Sequence, residues 1–155
     1  MDKKRTELIV SAIRSGTVID HIPSDKTFQV INMLNLEGTE NQVYFGTNLY
    51  SDKYISKGII KISDTFFKEE EISKIALVAP SATLIEIEDY EITKKQKVKA
   101  SATVDKIVKC YNPKCVTNTE TIPTKFKVIS DHKGNMKLSC HYCEKTMAKE
   151  NIEFY

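Results

Sequence analysis

Cys110-Tyr111-Asn112-Pro113-Lys114-Cys115 and, 24 residues beyond it, Cys140-His141-Tyr142-Cys143 decide how the last third of this chain folds. The 155 residues contain no other cysteine. Two short-spaced pairs separated by a strand-rich stretch can bring four thiolates onto one tetrahedral ion, and Zn²⁺ is the usual occupant. The spacing predicts a metal site of Cys110, Cys115, Cys140 and Cys143 holding one zinc per chain. Iron in the same cage stays open, because spacing does not choose among tetrahedral-thiolate metals. Two disulfides would need an oxidising compartment. A redox pair at Cys140 and Cys143 would leave Cys110 and Cys115 unexplained, and no βαβ pattern surrounds it. Four protein ligands leave no open position for water, so the ion is expected to be structural, with His132 and His141 as ordinary neighbours.

Working outward, a metal module beginning near Thr103 has only 53 residues. A domain that small buries too little apolar surface to stand without a staple, and a bound ion supplies it. The chain therefore divides into residues 1–101 and 102–155. The first part carries 14 basic against 15 acidic residues and the second 9 against 6, so neither has the positive excess of a dedicated duplex binder. No apolar run is long enough to cross a membrane. Met1 to Thr6 is charged and Leu8, Ile9 and Val10 are too few for a signal sequence, which points to the cytoplasm.

Within the first part, Leu8 to Ile22 reads as one long strand or two short ones, with Ser15-Gly16 as a bulge or kink. Ser24 or Asp25 is the expected N-cap of a helix reaching about Leu36, with Phe28, Ile31, Met33 and Leu34 mostly on one face. Gln42 to Leu49 and Lys57 to Ser63 form a hairpin. Asp64 or Thr65 is expected to cap a second helix, rich in Glu at its start, whose Ile72, Ile75, Ala76 and Ala79 recur at helical spacing until Pro80. Thr83 to Ile87 and Tyr90 to about Lys95 are two more strands, and Lys97 to Ala102 a connector. The order is strand, helix, two strands, helix, strand, plus a terminal strand. This predicts an α+β chain: a ferredoxin-like split βαβ sandwich, with two helices on one face of an antiparallel sheet. A small all-β metal domain follows, with strands at Thr103 to Val108, Lys125 to Ser130, Met136 to Leu138 and Met147 to Phe154.

No nucleophile elbow, P-loop, HExxH, dinucleotide fingerprint or serine and histidine constellation is present, so the chain is not read as an enzyme. A zinc-ribbon nucleic-acid binder using Lys125, Lys127, Lys133 and Lys137 is the alternative, and it lacks an aromatic stacking platform.

Specific residues then match a known family. Gly16-Thr17-Val18-Ile19-Asp20-His21-Ile22-Pro23, Lys57-Gly58-Ile59-Ile60-Lys61-Ile62, Leu77-Val78-Ala79-Pro80 with Ala82-Thr83, and the four-cysteine pattern resemble the regulatory chain of aspartate carbamoyltransferase across nearly the whole length. The resemblance implies a non-catalytic allosteric subunit in pyrimidine biosynthesis, with a nucleotide-effector domain at 1–101 and a zinc domain at 102–155 that docks on the catalytic chain. It also implies regulatory-chain homodimers bridging trimers in a dodecamer of six catalytic and six regulatory chains, with CTP and ATP as effectors and neither nucleic acid nor membrane as partner. Carried over by position, Lys61 and Lys95 correspond to lysines on effector phosphate and ribose, and Asp20 to the acid near the ribose. Lys57 and His21 fall around the phosphates, and Val10, Ala12, Ile13 and Tyr90 shape the base pocket. Lys57 and Lys61, four apart in a strand, share a face, as convergent point charges on a triphosphate require. Ile85, where the enterobacterial pattern has a polar amide, and Ser11, where it has an acid, depart from the family and bear on effector selectivity.

Overall fold

The computed structural model describes residues 12–52 and 55–155. The chain separates into two compact units, one ending at Val98 and one spanning Lys99–Tyr155.

In the first unit the strands are β1 (Gly16–Pro23), β2 (Val43–Leu49), β3 (Lys57–Ser63), β4 (Thr83–Glu88) and β5 (Glu91–Lys97), with helices α1 (Thr27–Met33) and α2 (Glu69–Val78). The sheet runs β2-β3-β1-β4-β5, and every neighbouring pair is antiparallel. Each helix thus joins two parallel strands across the one strand that lies between them. This is the split βαβ sandwich expected from the order of elements, with β5 added at one edge.

Period-two alternation decides which side of the sheet carries the core. Along β3, Gly58, Ile60 and Ile62 are buried while Lys57, Ile59, Lys61 and Ser63 are half-exposed. Ile19 pairs with Ile60 and with Leu84, and all three are fully buried in one row. The helices cover this face: α1 contributes Thr27, Val30 and Ile31, and α2 contributes Ile72, Ile75, Ala76, Leu77 and Val78. Helix and sheet approach closely at Gly58, where an added Cβ would collide with the Thr27 hydroxyl.

Both strands beside β3 bulge at the same level. Asp20-His21 of β1 faces Ile59 alone, and Thr47-Asn48 of β2 faces Gly58 alone. His21 and Asn48 take positive φ values of 58° and 56° to allow it. The extra residue keeps Ile22 on the helix side while Asp20 points to the other. The two sheet edges differ in charge. β5 exposes Glu91, Lys94, Lys95 and Lys97, whereas β2 carries no charged residue.

Several boundaries differ from the sequence reading. Among the described residues before Pro23 only Gly16–Pro23 is strand, and the bulge falls at Asp20-His21 rather than Ser15-Gly16, where the backbone bends just ahead of β1. The Leu8 to Ser11 part of that reading lies outside the described residues. A 3₁₀ turn over Ser24–Lys26 precedes α1, so neither Ser24 nor Asp25 caps it; Lys26 occupies the N-cap without a side-chain bond. Phe28 stays 58% exposed. It packs edge-on against Phe45 at 5.6 Å instead of entering the core. The second helix starts at Glu69, not after Asp64 or Thr65. Asp64 turns the chain with φ 51°, and Glu71 accepts the Lys68 N–H at 2.9 Å. Lys97 belongs to β5, and Val98 is buried with its N–H on Ala82 O.

The second unit contains β6 (Thr103–Asp105), β7 (Val108–Lys109), the short helix α3 (Val116–Thr119), β8 (Lys125–Ser130), β9 (Met136–Cys140), β10 (Thr146–Ala148) and β11 (Glu153–Phe154). An antiparallel sheet runs β10-β9-β8-β6, and β11 pairs with β7. The expected strand at 103–108 is broken by Lys106 at φ 64°, and that at 147–154 by a 3₁₀ turn over Lys149–Asn151. Val104, Val108, Phe126, Leu138 and Met147 form its core. Phe126 pairs with both Val104 and Cys140, so β9 delivers a cysteine to the core face. No helix among the described residues is long and apolar enough to cross a membrane.

Candidate metal centre and effector face

The four cysteine sulfurs lie within 4.8 Å of one another. Each pair sits in a tight turn. Asn112 O accepts the Cys115 N–H, its side chain accepts the Lys114 N–H, and Asn118 Nδ2 donates to the carbonyls of Cys110 and Asn112 at 2.8 Å each. The second turn is closed by Glu144 N–H on Cys140 O, with Glu144 at φ 59°. The Thr117 hydroxyl donates to Cys115 Sγ at 3.2 Å.

Two distances test the site for an ion. Cys110 and Cys143 sulfurs are 3.7 Å apart, and Cys115 and Cys140 are 3.8 Å apart. A disulfide would need about 2.05 Å. A tetrahedron with metal–sulfur bonds of about 2.3 Å has edges of about 3.8 Å. The sulfurs are therefore spaced for a tetrahedral ion and not for a bond to each other.

Their protonation agrees. Burial pushes the Cys110 thiol far above its usual range, against a hydrogen bond from the Asn112 backbone, and burial likewise raises Cys140. Burial also pushes Cys143 up, but the Lys145 backbone N–H, the Asn112 side chain and the thiols of Cys110 and Cys140 outweigh it and leave it at about 7. Buried sulfurs that resist ionisation without a counter-charge ionise together around a dication. His132 and His141 stand outside the cluster; His141 is exposed and packs edge-on to Tyr142 at 5.1 Å.

On the first unit, the sheet face turned away from the helices gathers the second set of expected residues. Cross-strand register aligns Lys95, Ile85, Val18, Lys61 and Tyr44 in one row over five strands. Directly opposed residues share a face, so Lys95 and Lys61 project on the same side, three strand spacings or roughly 14 Å apart. Between them lie Val18 and Ile85. Burial lowers the Lys61 ammonium from its usual value, and the Asp20 carboxylate partly restores it. Beside this row the β1 bulge presents Asp20, whose Oδ1 accepts Lys57 Nζ at 2.7 Å and the His21 N–H at 2.6 Å. Ser81 donates to His21 O and holds the bulge. A cleft of about 430 Å³ includes Ala12, Ile13, Tyr44 and Tyr90 in its lining. A cavity of about 610 Å³ at the opposite end involves His21, Ser24, Thr47 and Asn48.

Comparison with known proteins places both halves. A family described as "Aspartate carbamoyltransferase regulatory chain, allosteric domain" matches residues 8–99, and "Aspartate carbamoyltransferase regulatory chain, metal binding domain" matches residues 102–153. The chain belongs to the aspartate carbamoyltransferase regulatory chain family. Its relatives of that name include one from Phocaeicola vulgatus, 46% identical over 99% of this chain and 97% of the relative. One from Bacteroides fragilis is 47% identical over 98% of each, and one from Pyrococcus horikoshii is 48% identical over 94% of this chain and 96% of its own length.

As a regulatory chain it is non-catalytic, with an allosteric domain and a metal-binding domain in one polypeptide. Of the residues expected at the effector site, Ala12, Ile13 and Tyr90 share the 430 Å³ cleft, Asp20, His21 and Lys57 cluster at the bulge, and Lys61 and Lys95 share the row. Val10 and the substituted Ser11 lie outside the described residues. Sequence reasoning missed Tyr44, which only the register puts opposite Lys61. It also missed Asn112, Thr117 and Asn118 around the sulfurs. Their signal was the asparagine and threonine density of 112–121, which side-chain-to-backbone turns favour.

Proposed function

We propose that this regulatory chain binds nucleoside triphosphates, CTP and ATP, on the sheet face away from its helices, and passes the binding to a catalytic chain. The carrying observation is the row that sets Lys61 and Lys95 on one side of the sheet with Lys57 and Asp20 alongside. Lys61 and Lys95 hold the phosphate and ribose, Asp20 lies near the ribose, Lys57 and His21 lie around the phosphates, and Val10, Ala12, Ile13 and Tyr90 shape the base pocket. A triphosphate needs several cations close by, and ammonium groups from different strands of one sheet face can converge on it as point charges. The residues 1–101 form the effector domain.

Cys110, Cys115, Cys140 and Cys143 hold one structural zinc, and residues 102–155 form the adaptor that docks on the catalytic chain. The sulfur spacing supports the ion, and zinc is the commonest closed four-thiolate occupant. Regulatory chains pair as homodimers in a cytoplasmic assembly of six catalytic and six regulatory chains, which serves pyrimidine biosynthesis. Effector binding moves the catalytic partner only by its difference in affinity for the two states.

The test is thermal. At about 100 times its dissociation constant, a ligand adds roughly 2.7 kcal/mol to the stability of the form that binds it. Millimolar CTP or ATP should raise the melting temperature of the purified chain by several degrees. No shift with either nucleotide removes the effector reading. Co-purification with a catalytic chain, lost on chelation, tests the docking role.

A further inference from the structure

Tyr44 is an aromatic residue without a place in the core. It sits on the edge strand β2, half-buried, on the face opposite the helices, where its strand partner is Lys61. Its hydroxyl donates to Gln42 Oε1 at 3.4 Å, two residues along the same face. Its ring borders the 430 Å³ cleft that Ala12, Ile13 and Tyr90 also border. Tyr90 is 68% exposed and held at φ 67° by its turn. An exposed ring in such a strained turn and a second ring beside a lysine give one cleft two aromatic borders. The floor between Lys61 and Lys95 is apolar, formed by Val18 and Ile85. Phosphates are satisfied by ammonium groups, but a planar base gains most from flat π surfaces, which every base can stack on.

We infer that Tyr44 is a base-contacting residue of this chain's effector site, its ring bordering the cleft beside Lys61 so that affinity for the nucleotide's base depends on it. The inference rests on the effector reading above and adds a residue that neither the cysteine pattern nor the lysines reveal. Stacking carries the contact, so removing the hydroxyl alone matters little. Removing the ring costs about tenfold or more in affinity. The effect is confined to ligands that carry a base.

The experiment is titration calorimetry of the full, metal-loaded chain with CTP, ATP and inorganic tripolyphosphate. Tyr44→Leu and Tyr44→Thr should each weaken the preferred nucleotide at least about tenfold while leaving tripolyphosphate within about twofold, and Tyr44→Phe should stay within about threefold of the original chain. The threonine keeps strand propensity should the leucine variant fold poorly. If the original chain binds nucleotide and Tyr44→Thr binds it equally well, the Tyr44 inference fails while the effector reading stands. Loss of tripolyphosphate in step with nucleotide, or a Tyr44→Phe loss as large as Tyr44→Thr, also overturns it. If the original chain binds neither nucleotide, both readings fall together.

Discussion

Removing the metal should unfold Lys99–Tyr155 and spare the first unit. At about 0.05–0.15 kcal/mol per residue, a unit of roughly 57 residues has a net stability of about 3–9 kcal/mol. Its large buried apolar side chains are few: Val104, Val108, Phe126, Leu138 and Met147. A thiolate-bound structural ion contributes on the order of 10–16 kcal/mol of apparent folding free energy, which exceeds that whole margin. The metal-free unit is therefore expected to be unfolded at equilibrium. The assay is amide hydrogen exchange on chelated, elementally verified metal-free protein. Protection should vanish at Phe126 and Leu138 and persist at Ile19 and Ile60. Protection that survives at Phe126 and Leu138 after complete metal loss refutes the reasoning. Acid should ease the release, because burial raises Cys110 and Cys140 and each proton regained competes with the ion. The sign for the metal-free fold is separate. The raised Cys110 and Cys140 thiols favour that fold below the ordinary thiol value of 9.0 and lose the contribution as pH climbs toward their folded values, whereas the lowered Cys143 contributes above 9.0 and loses it as pH falls through about 7.

Three primary substitutions in the first unit, two of them with a second-site partner, probe its packing and charge. Lys61→Met should leave the unliganded chain at least as heat-stable at neutral pH, since burial lowers this ammonium, yet abolish the nucleotide-dependent rise in melting temperature. The stability difference should shrink as pH rises through the lowered folded value and past 10.5, above which the original lysine is neutral in both states; a large loss of unliganded stability would contradict the burial argument. Gly58→Ala should destabilise by about 1–3 kcal/mol in urea unfolding because its methyl meets the Thr27 hydroxyl, and Thr27→Ala in the same chain should recover part of that; strict additivity would show the two do not touch. Asp20→Asn should cost about 1–3 kcal/mol through the lost pairing with Lys57, a largely buried contact, and Lys57→Met on that background should cost little more, as a double-mutant cycle would reveal.

The sheet was legible because its strands alternate. Ile60 and Ile62 fall on one face at period two, and β3 occupies the expected Lys57 to Ser63. Helix α2 was legible from Ile72, Ile75, Ala76 and Ala79, all buried. Its start was not, because Asp64 and Thr65 are good capping residues spent on a turn, and the Thr65 hydroxyl bonds back to Ser63 O. The bulge at Asp20-His21 was hidden for a related reason. Histidine at φ 58° gives no composition signal, and the support comes from distant Ser81. The four sulfurs were visible from spacing, whereas the threonine and asparagine bonds that orient them depend on a four-residue helix too short to leave a periodic trace. On the sheet face turned away from the helices, the common side of Lys57 and Lys61 followed from period two, but the alignment of Lys95 with Lys61 needed the register of three strand pairs.

The unequal borders of the five-stranded sheet limit how it can grow. Three lysines along β5 make it costly for another strand to approach there, while β2, the other edge among the described residues, carries no charge to repel a suitable neighbour. Extension through such a layer is self-terminating: one added copy, related by a twofold axis, would hide both receptive margins and leave only lysine-studded ones outside. The same chemistry that permits association in one direction guards against fibre formation in the other.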